Sequence, residues 1–558
     1  MSRQVLILNM TRMGDLVQMG TLLARLQEEW PGVAIDLVVD RQFAAVASLL
    51  SGLREIIAYD FHALIDDSRA AVKNVAALYQ DVASWARPLA DRRYDRIINL
   101  TFNRPSAMLS SYIGAPDIRG ARSAWDGQSV IDNHWMAYFT DMHHFRAMNR
   151  FNLVDVYALG GSGVGTFAPL AVTVTAAAQD WARRFLSTAS GDTREWIAVQ
   201  AGASDIMKSW RPEYFGRALA HVSAQWDGGI VLIGTPAEQN TIAQVVRAYR
   251  EAGGQSPVLN AAGKTTLEQL VGLLAECRLL LTNDTGPMHL AVGVRIPVID
   301  LSVGHVDFRE TGPYGSGHWV IQPELDCAPC GFDQVCAHQT CKDRLPVRMV
   351  ADVVLHVLGK HPAPQSAPGY RIFQSAIDED QLGSFRLIGQ ADISDVEWYS
   401  RFWRRYWYES LTHTTSRIPL DSTGPSNLQS AIHHLSCMMP FVETLCRQAD
   451  TIVRAAAQAS QSPNSLQSLQ REQTALRERV VQSGMSHLVS SPVTTAFVRS
   501  LHNDNVKGLE RMARHHALAY RHWRRHLEEI HKLLTQRTSK SMQRSFPMFT
   551  GSLAAHSG

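Results

Sequence analysis

Leu279-Leu280-Leu281-Thr282-Asn283-Asp284-Thr285-Gly286-Pro287-Met288-His289-Leu290-Ala291 passes from an apolar run, through small and polar residues, into a second apolar run. The first run reads as a buried strand, and Asp-Thr-Gly-Pro reads as a helix start, with proline pre-set for the first turn. Strand, tight loop and helix together are the repeating unit of a parallel sheet covered by helices. The free N–H groups of such a helix point beyond the carboxyl end of the strand, which makes that place suitable for an anion. His289 falls in the first helical turns and reaches the same place. A plain helix start carrying a packed or solvated histidine is the competing reading.

The same unit recurs on both sides. Upstream, Trp196–Gln200 is a strand, Pro212–Val222 a helix opened by proline, and Gly229–Gly234 a further strand followed by a helix from about Ala237. Downstream, Pro297–Asp300 is another strand. An Ala/Thr-rich stretch near Thr173–Ala178 separates this series from an earlier one, with strands at Val5–Leu8, Ala34–Val39 and Asp95–Leu100 and helical spacing over Leu16–Glu29. Parallel strands of this kind call for right-handed crossovers. Two tandem series predict two Rossmann-like domains, residues 1–172 and 173–358, facing each other across a cleft. From about Lys360 the texture changes. His361-Pro362-Ala363-Pro364 reads as a linker, and the chain beyond it is rich in helix formers, His, Arg and Gln. Residues 359–558 are therefore expected to form a mainly α-helical extension, with long helices over Ser465–Gly484 and Val498–Gln536 and a disordered tail from about 539.

The bulk numbers bound the function. A chain of 558 residues exceeds one ordinary core, and 45% hydrophobic with 19% charged residues suits a soluble globular protein. Lys+Arg 54 against Asp+Glu 52, a net charge of +2, argues against a nucleic-acid binder of the simple electrostatic kind. The apolar run near the N-terminus is too short for a signal peptide, and no stretch approaches the roughly 18 residues of a membrane span. A cytoplasmic location is the resulting expectation.

Two further loops come directly after strands. In Met10-Thr11-Arg12-Met13-Gly14-Asp15-Leu16, Gly14 lets a ligand or another chain approach the backbone, and Asp15 stands at the helix start. As an N-cap, Asp15 would merely hold free N–H groups. In Gln200-Ala201-Gly202-Ala203-Ser204, followed by Lys208-Ser209-Trp210, a small-residue loop and a lysine suit a diphosphate. An ordinary loop with a solvated lysine fits equally. All three loops lie at carboxyl ends of strands and divide between the two α/β series, so facing domains would bring them to one cleft.

On these residues the chain resembles glycosyltransferase family 9, the ADP-heptose:lipopolysaccharide heptosyltransferases. The resemblance covers about residues 3–355 and includes Met13-Gly14-Asp15, Gly202-Ala203-Ser204 with Lys208-Ser209-Trp210, Gly234 with Glu238, Asn283–Ala291 and Gly312-Pro313-Tyr314-Gly315. It implies the GT-B fold, inversion at the transferred sugar and no catalytic metal. By the same resemblance Asp15 is the general base, Lys208 contacts the donor phosphates, Asp284, Thr285, Gly286 and His289 bind the diphosphate and sugar, and Glu238 holds the nucleoside. The implied donor is an ADP-sugar. The implied acceptor is a lipopolysaccharide-core glycolipid or another cell-surface glycan at the inner face of the inner membrane. A protein acceptor such as a flagellin or adhesin, and a non-catalytic nucleotide-sugar-binding scaffold, are the alternatives. Asn9-Met10-Thr11 departs from the family's usual Arg followed by small residues, and the extension beyond Lys360 lies outside the family core.

Cys327, Cys330, Cys336 and Cys341 place four thiols in one loop, a candidate structural site for zinc or iron, with His338 a weaker ligand. Four reduced thiols packing the loop, or one disulfide, fit the same spacing. In the extension, Trp398, Tyr399, Phe402, Trp403, Tyr406 and Trp407 crowd together with Arg401, Arg404 and Arg405, either as an amphipathic patch for a membrane or partner or as packing. Arg511, Arg514, Arg521, Arg524, Arg525 and Lys532 form a basic helix that suits anionic glycolipid or a solvated face.

Overall fold

A computed structural model describes residues 3–61, 75–163, 165–189, 195–331, 336–389, 393–418, 420, 424–457, 463–503 and 507–539. The tail expected to be disordered from about 539 lies, past that residue, outside them. The chain folds as two compact units: Met1–Thr101, Ile113–Asp117 and Phe151–Asp392 in the first, and Phe102–Tyr112, Ile118–Arg150 and Ile393–Gly558 in the second.

In the first unit, β1 (Gln4–Leu8), β2 (Ala34–Asp40), β3 (Glu55–Tyr59) and β4 (Arg96–Asn99) run parallel in the order β3-β2-β1-β4. β5 (Asp117–Ser123) and β6 (Ser129–Asp132) form an antiparallel hairpin that falls almost wholly in the second unit. The other sheet of the first unit contains β7 (Trp196–Gln200), β8 (Gly229–Leu232), β9 (Val258–Asn260), β10 (Leu280–Asn283), β11 (Val298–Leu301), β12 (Trp319–Pro323), β13 (Tyr370–Ile377) and β14 (Gly383–Leu387). Their order is β14-β13-β12-β11-β10-β7-β8-β9, parallel from β7 to β12 and antiparallel at β13 and β14.

The parallel strands are short apolar runs because helices cover both faces. β7, β8, β10 and β11 are buried at every residue. Trp210, Phe215 and Trp226 fill the core beside them. Each such side chain contributes roughly 1.5–3 kcal/mol through burial. Helix Leu153–Ser162 is apolar nearly all round and buried on every face through Gly161, as a helix inside a core must be. Its Asp155 is satisfied by Tyr314 O–H at 2.6 Å and Gly383 N–H at 2.9 Å. The Gly-Pro-Tyr-Gly motif thus secures this helix to the start of β14.

Several expectations are refined. β13 and β14 lie beyond the compositional boundary at residue 358, because their alternating pattern adds two strands to the edge of the second sheet. The helix expected over Leu16–Glu29 is two, Met13–Gln18 and Gly20–Glu29. The helix expected over Val498–Gln536 is also two, Ser491–His502 and Leu509–Ser539, with Gly508 at φ 98° beginning the second. Pro463–Met485 matches the expectation for Ser465–Gly484.

The second unit is mainly helical, containing Leu428–Ala457 together with the helices just named beyond residue 463. In its helix Asp395–Thr412 all seven aromatic rings are buried, Trp403 and Tyr399 completely. The membrane-patch reading of that segment is therefore corrected. Aromatics at every third or fourth position of one helix form a core stripe, and here they stack on one another, Trp398 on Phe402 and Phe402 on Tyr406. The basic helix keeps a solvated face, with Arg514–Glu510, Arg521–Asp450 and Arg524–Glu528 ion pairs. No helix among the described residues is long and apolar enough to cross a membrane.

Candidate functional site

The three loops do come together within the first unit. Helix Gly286–Gly293 starts directly after β10, with Thr285 extended at its N-cap and Pro287 in its first turn. A Cβ built on Gly14 would lie 2.8 Å from His289 Cδ2, and one on Gly286 would lie 2.6 Å from Met13 Sδ. The glycines are thus what allows the first loop to touch the helix start. His289 is 4% exposed, its Nδ1 is buried without a partner, and burial pushes its pKa down to about 4. The ring is therefore neutral at physiological pH.

Asp15 is not the N-cap of its helix. Arg12 holds that position, and Asp15 sits three residues in, accepting the Arg12 N–H at 3.2 Å. Burial raises the Asp15 pKa above its usual value, opposed by the Arg12 backbone, Thr11 and the Arg12 charge and reinforced by Asp284. Thr11 also donates to Asn9 Oδ1. Tyr157, buried in helix Leu153–Ser162, has its phenol pKa raised by burial and then by the charge of Asp15.

Lys208 closes the short turn Ile206–Lys208, which Asp205 caps, and its Nζ lies 3.8 Å from Asp284 Oδ2. Thr311 O–H donates to the same oxygen at 3.2 Å. Asn283 joins two loops, donating to Ala201 C=O at 3.0 Å and accepting from Trp210 N–H at 2.9 Å. Thr285 Oγ lies 3.2 Å from Thr282 Oγ.

Glu238 is held by its own set of contacts. One carboxylate oxygen accepts from Thr235 N–H at 2.6 Å and Thr235 O–H at 2.9 Å, and the other accepts from Gln200 at 3.1 Å. Gly202 lies directly against that carboxylate. Ser204 is exposed, and its hydroxyl makes no hydrogen bond among the described residues.

Asp300 was read from sequence only as a strand residue. It lies on β11 opposite Thr282 of β10, fully buried, with neither oxygen hydrogen-bonded. Burial raises its pKa far above the carboxylate range, Asp284 adds to this and Lys208 opposes it. Thr311 and Tyr157 were also missed, and Gln200 was read only as the start of a small-residue loop. Each is an ordinary strand or helix residue by local pattern.

Cys330 and Cys341 are buried, Cys336 is partly buried and Cys327 is exposed. Burial, and then the neighbouring thiols of Cys327, Cys341 and Cys336, raise the Cys330 pKa. Cys336 Sγ accepts from Gln339 N–H at 3.3 Å, and His338 bonds Thr340 instead of facing a thiol. Among the described residues no group of three His, Cys, Asp or Glu side chains is disposed to hold a metal ion.

The profile of glycosyltransferase family 9 (heptosyltransferase) matches residues 82–341. Over 160 residues the chain is 28% identical to lipooligosaccharide heptosyltransferase 2 of Campylobacter jejuni, a match covering 28% of this chain and 48% of that protein. The chain thus spans about half the length of the first curated relatives it matches. A longer match, 22% identical over 319 residues, joins 56% of this chain to 82% of the lipopolysaccharide core heptosyltransferase OpsX of Haemophilus influenzae. The crystal structure of a family 9 glycosyl transferase from Veillonella parvula superposes with a TM-score of 0.50 at 19% identity, covering 64% of this chain and 98% of that one. The two parallel sheets are those of the GT-B fold.

Proposed function

Because residues 82–341 match the model of glycosyltransferase family 9 (heptosyltransferase), we propose that the chain is an inverting glycosyltransferase of that family. It moves heptose or a related sugar from an ADP-sugar to a lipopolysaccharide-core or other cell-surface glycan on the cytoplasmic face of the inner membrane. The observation that carries this reading is the approach of the Gly14-Asp15 loop to His289 at the start of helix Gly286–Gly293. That approach supports a reading in which the Asp15 carboxylate faces the helix start and, through Asp284, Lys208.

The chemistry rests on that opposition. Breaking a sugar–diphosphate bond places negative charge on the departing nucleotide. Lys208 and the free N–H groups of the helix start stabilise that charge more in the transition state than in the ground state. Asp284 spaces Lys208, and Thr311 orients Asp284. Asp15, with a raised pKa, takes the proton of the acceptor hydroxyl as it attacks. One in-line displacement inverts the anomeric carbon. The neutral ring of His289 donates a hydrogen bond to the donor without bringing a competing charge. Glu238, fixed by Thr235 and Gln200, receives the nucleoside.

No step runs through a metal. The four-cysteine loop is kept as a candidate structural zinc or iron site apart from the reaction on the clustering of its thiols in sequence, although its described residues hold no group of three ligands. About one equivalent of either metal in purified protein would support this, and none would overturn it.

The deciding experiment for the function is a donor screen on the full chain with a lipopolysaccharide-core acceptor, reading released ADP, UDP or GDP. ADP release that depends on acceptor is the expected result. Release of UDP or GDP alone would overturn the donor assignment, and release of none would overturn transfer.

A further inference from the structure

The second unit encloses a cavity of about 780 Å³ to which none of the proposed donor-site residues contributes. Its walls come from the end of β6, helix His134–Met142, helix Asp395–Thr412, helix Ser491–His502 and helix Leu509–Ser539. The volume lies in the range of built small-molecule sites, roughly 300–1,000 Å³.

The lining has two parts. One wall is aromatic: Tyr138 meets Trp407 edge-on at 6.1 Å, and Phe497 stacks on Trp523 at 4.2 Å. The indole N–H groups of Trp407 and Trp523 are buried without an acceptor. The other part is basic. His134, His522, His526 and Arg525 converge there from two helices. Each of the three imidazoles has its pKa lowered first by burial and then by neighbouring cationic side chains.

The carboxylates in the lining are already committed. Asp141 receives Arg499 on both oxygens, at 2.8 and 2.9 Å. Glu409 accepts from Arg405 at 3.1 Å and Ser416 N–H at 3.0 Å, and Asp132 pairs with Arg122. Glu529 accepts from Tyr406 O–H at 3.2 Å on one oxygen and also feels the charge of Arg525, one helical turn before it. Arg525, exposed at the helix surface, makes no ion pair among the described residues. His526 already meets the Tyr406 hydroxyl at 2.6 Å, so the groups left to a ligand are the two indole N–H donors, His522 and the Arg525 cation, beside an aromatic wall. A sugar ring presents C–H faces to aromatic rings and hydroxyls to hydrogen-bonding groups, and an acid on that sugar matches the basic part.

We propose that this cavity binds an acidic saccharide, with the sugar against the Tyr138–Trp407 and Phe497–Trp523 wall and its phosphate or carboxylate on Arg525 and His522. The binding site is independent of the donor reading, since no residue is shared between the two.

The test is calorimetry on the full chain with glucose 6-phosphate, glucuronate, glucose and inorganic phosphate. Glucose 6-phosphate or glucuronate should bind at least about tenfold more tightly than glucose or phosphate, and the preferred one of the pair identifies the acid. Arg525→Gln should lose about tenfold for that ligand, the scale of one charge-assisted hydrogen bond. His522→Gln, also at an exposed position, repeats the test should the first variant fold poorly. Saturating ADP should leave the affinity unchanged. Equal affinity for glucose and the acids, phosphate binding as tightly as glucose 6-phosphate, full retention of affinity in both variants, displacement by ADP, or no binding at all would each overturn the proposal. Because ADP release is measured separately, failure here leaves the transferase reading standing, and the reverse also holds.

Discussion

Gly202 and Glu238 occupy one space: a Cβ added to the glycine would lie 1.7 Å from the Glu238 carboxylate oxygen. Gly202→Ala must therefore move the carboxylate away from Gln200. The clash is with the far end of a flexible side chain, so the fold should survive with a melting temperature within a few degrees of the parent. Calorimetric affinity for ADP should fall about tenfold, or about 1.4 kcal/mol. Unchanged affinity would separate Glu238 from nucleotide binding.

Asp15 is expected to act in the chemical step more than in binding the donor. Asp15→Asn should lower kcat by about 10²–10⁴, the usual range for losing a general base, with donor affinity within about threefold of the parent. Burial raises the Asp15 pKa, so the acid limb of the parent's pH–rate profile should lie above the ordinary carboxylate value. Activity falls as pH drops through that limb because the base becomes protonated. A variant retaining most of its turnover would remove Asp15 from the mechanism.

Asp300 is fully buried and has no hydrogen-bond partner among the described residues. Its folded pKa stands above its unfolded one, so the folded state holds a proton that the unfolded chain releases. Stability associated with that proton is complete below the unfolded value and is lost as pH rises toward the folded one. Asp300→Asn, neutral at every pH, should gain on the parent as pH rises above the ordinary carboxylate range. Urea unfolding at several pH values measures this, and a pH-independent gap would exclude a buried neutral acid.

His289 and His318 are both buried with folded pKa values of about 4. His318 Nδ1 accepts the Val298 N–H at 3.2 Å, a bond that needs the unprotonated nitrogen. Below about pH 6.5 the unfolded chain takes up protons that the folded chain refuses. Stability should therefore decline as pH falls from about 6.5 to about 4, by about 3 kcal/mol for each ring. His318→Asn should flatten that decline, and an unchanged slope would place the acid sensitivity elsewhere.

The architecture was largely legible because apolar runs ending in glycine, proline and aspartate mark buried strands and the helices after them. Val5–Leu8, Trp196–Gln200 and Leu280–Asn283 all lie where those patterns place them. The approach of Gly14 to His289 was foreseeable only as a consequence of two α/β series facing each other. Asp300 was not legible, since its role depends on lying across a strand from Thr282, which no local window contains. β13 and β14 escaped notice because short edge strands after a proline-rich stretch resemble a linker. The aromatic cluster of Trp398–Trp407 was ambiguous for a related reason: helical spacing marks an apolar face without saying what covers it.

The second unit draws on three separate stretches of chain, and Asp141 from the first half grips Arg499 from far beyond it. A partnership between residues so distant in sequence binds the C-terminal helices and the segment around Asp141 into one folding unit. A truncation after residue 358 would strip β13 and β14 from the sheet edge and leave Trp135, Tyr138 and Asp141 without neighbours they were shaped to meet.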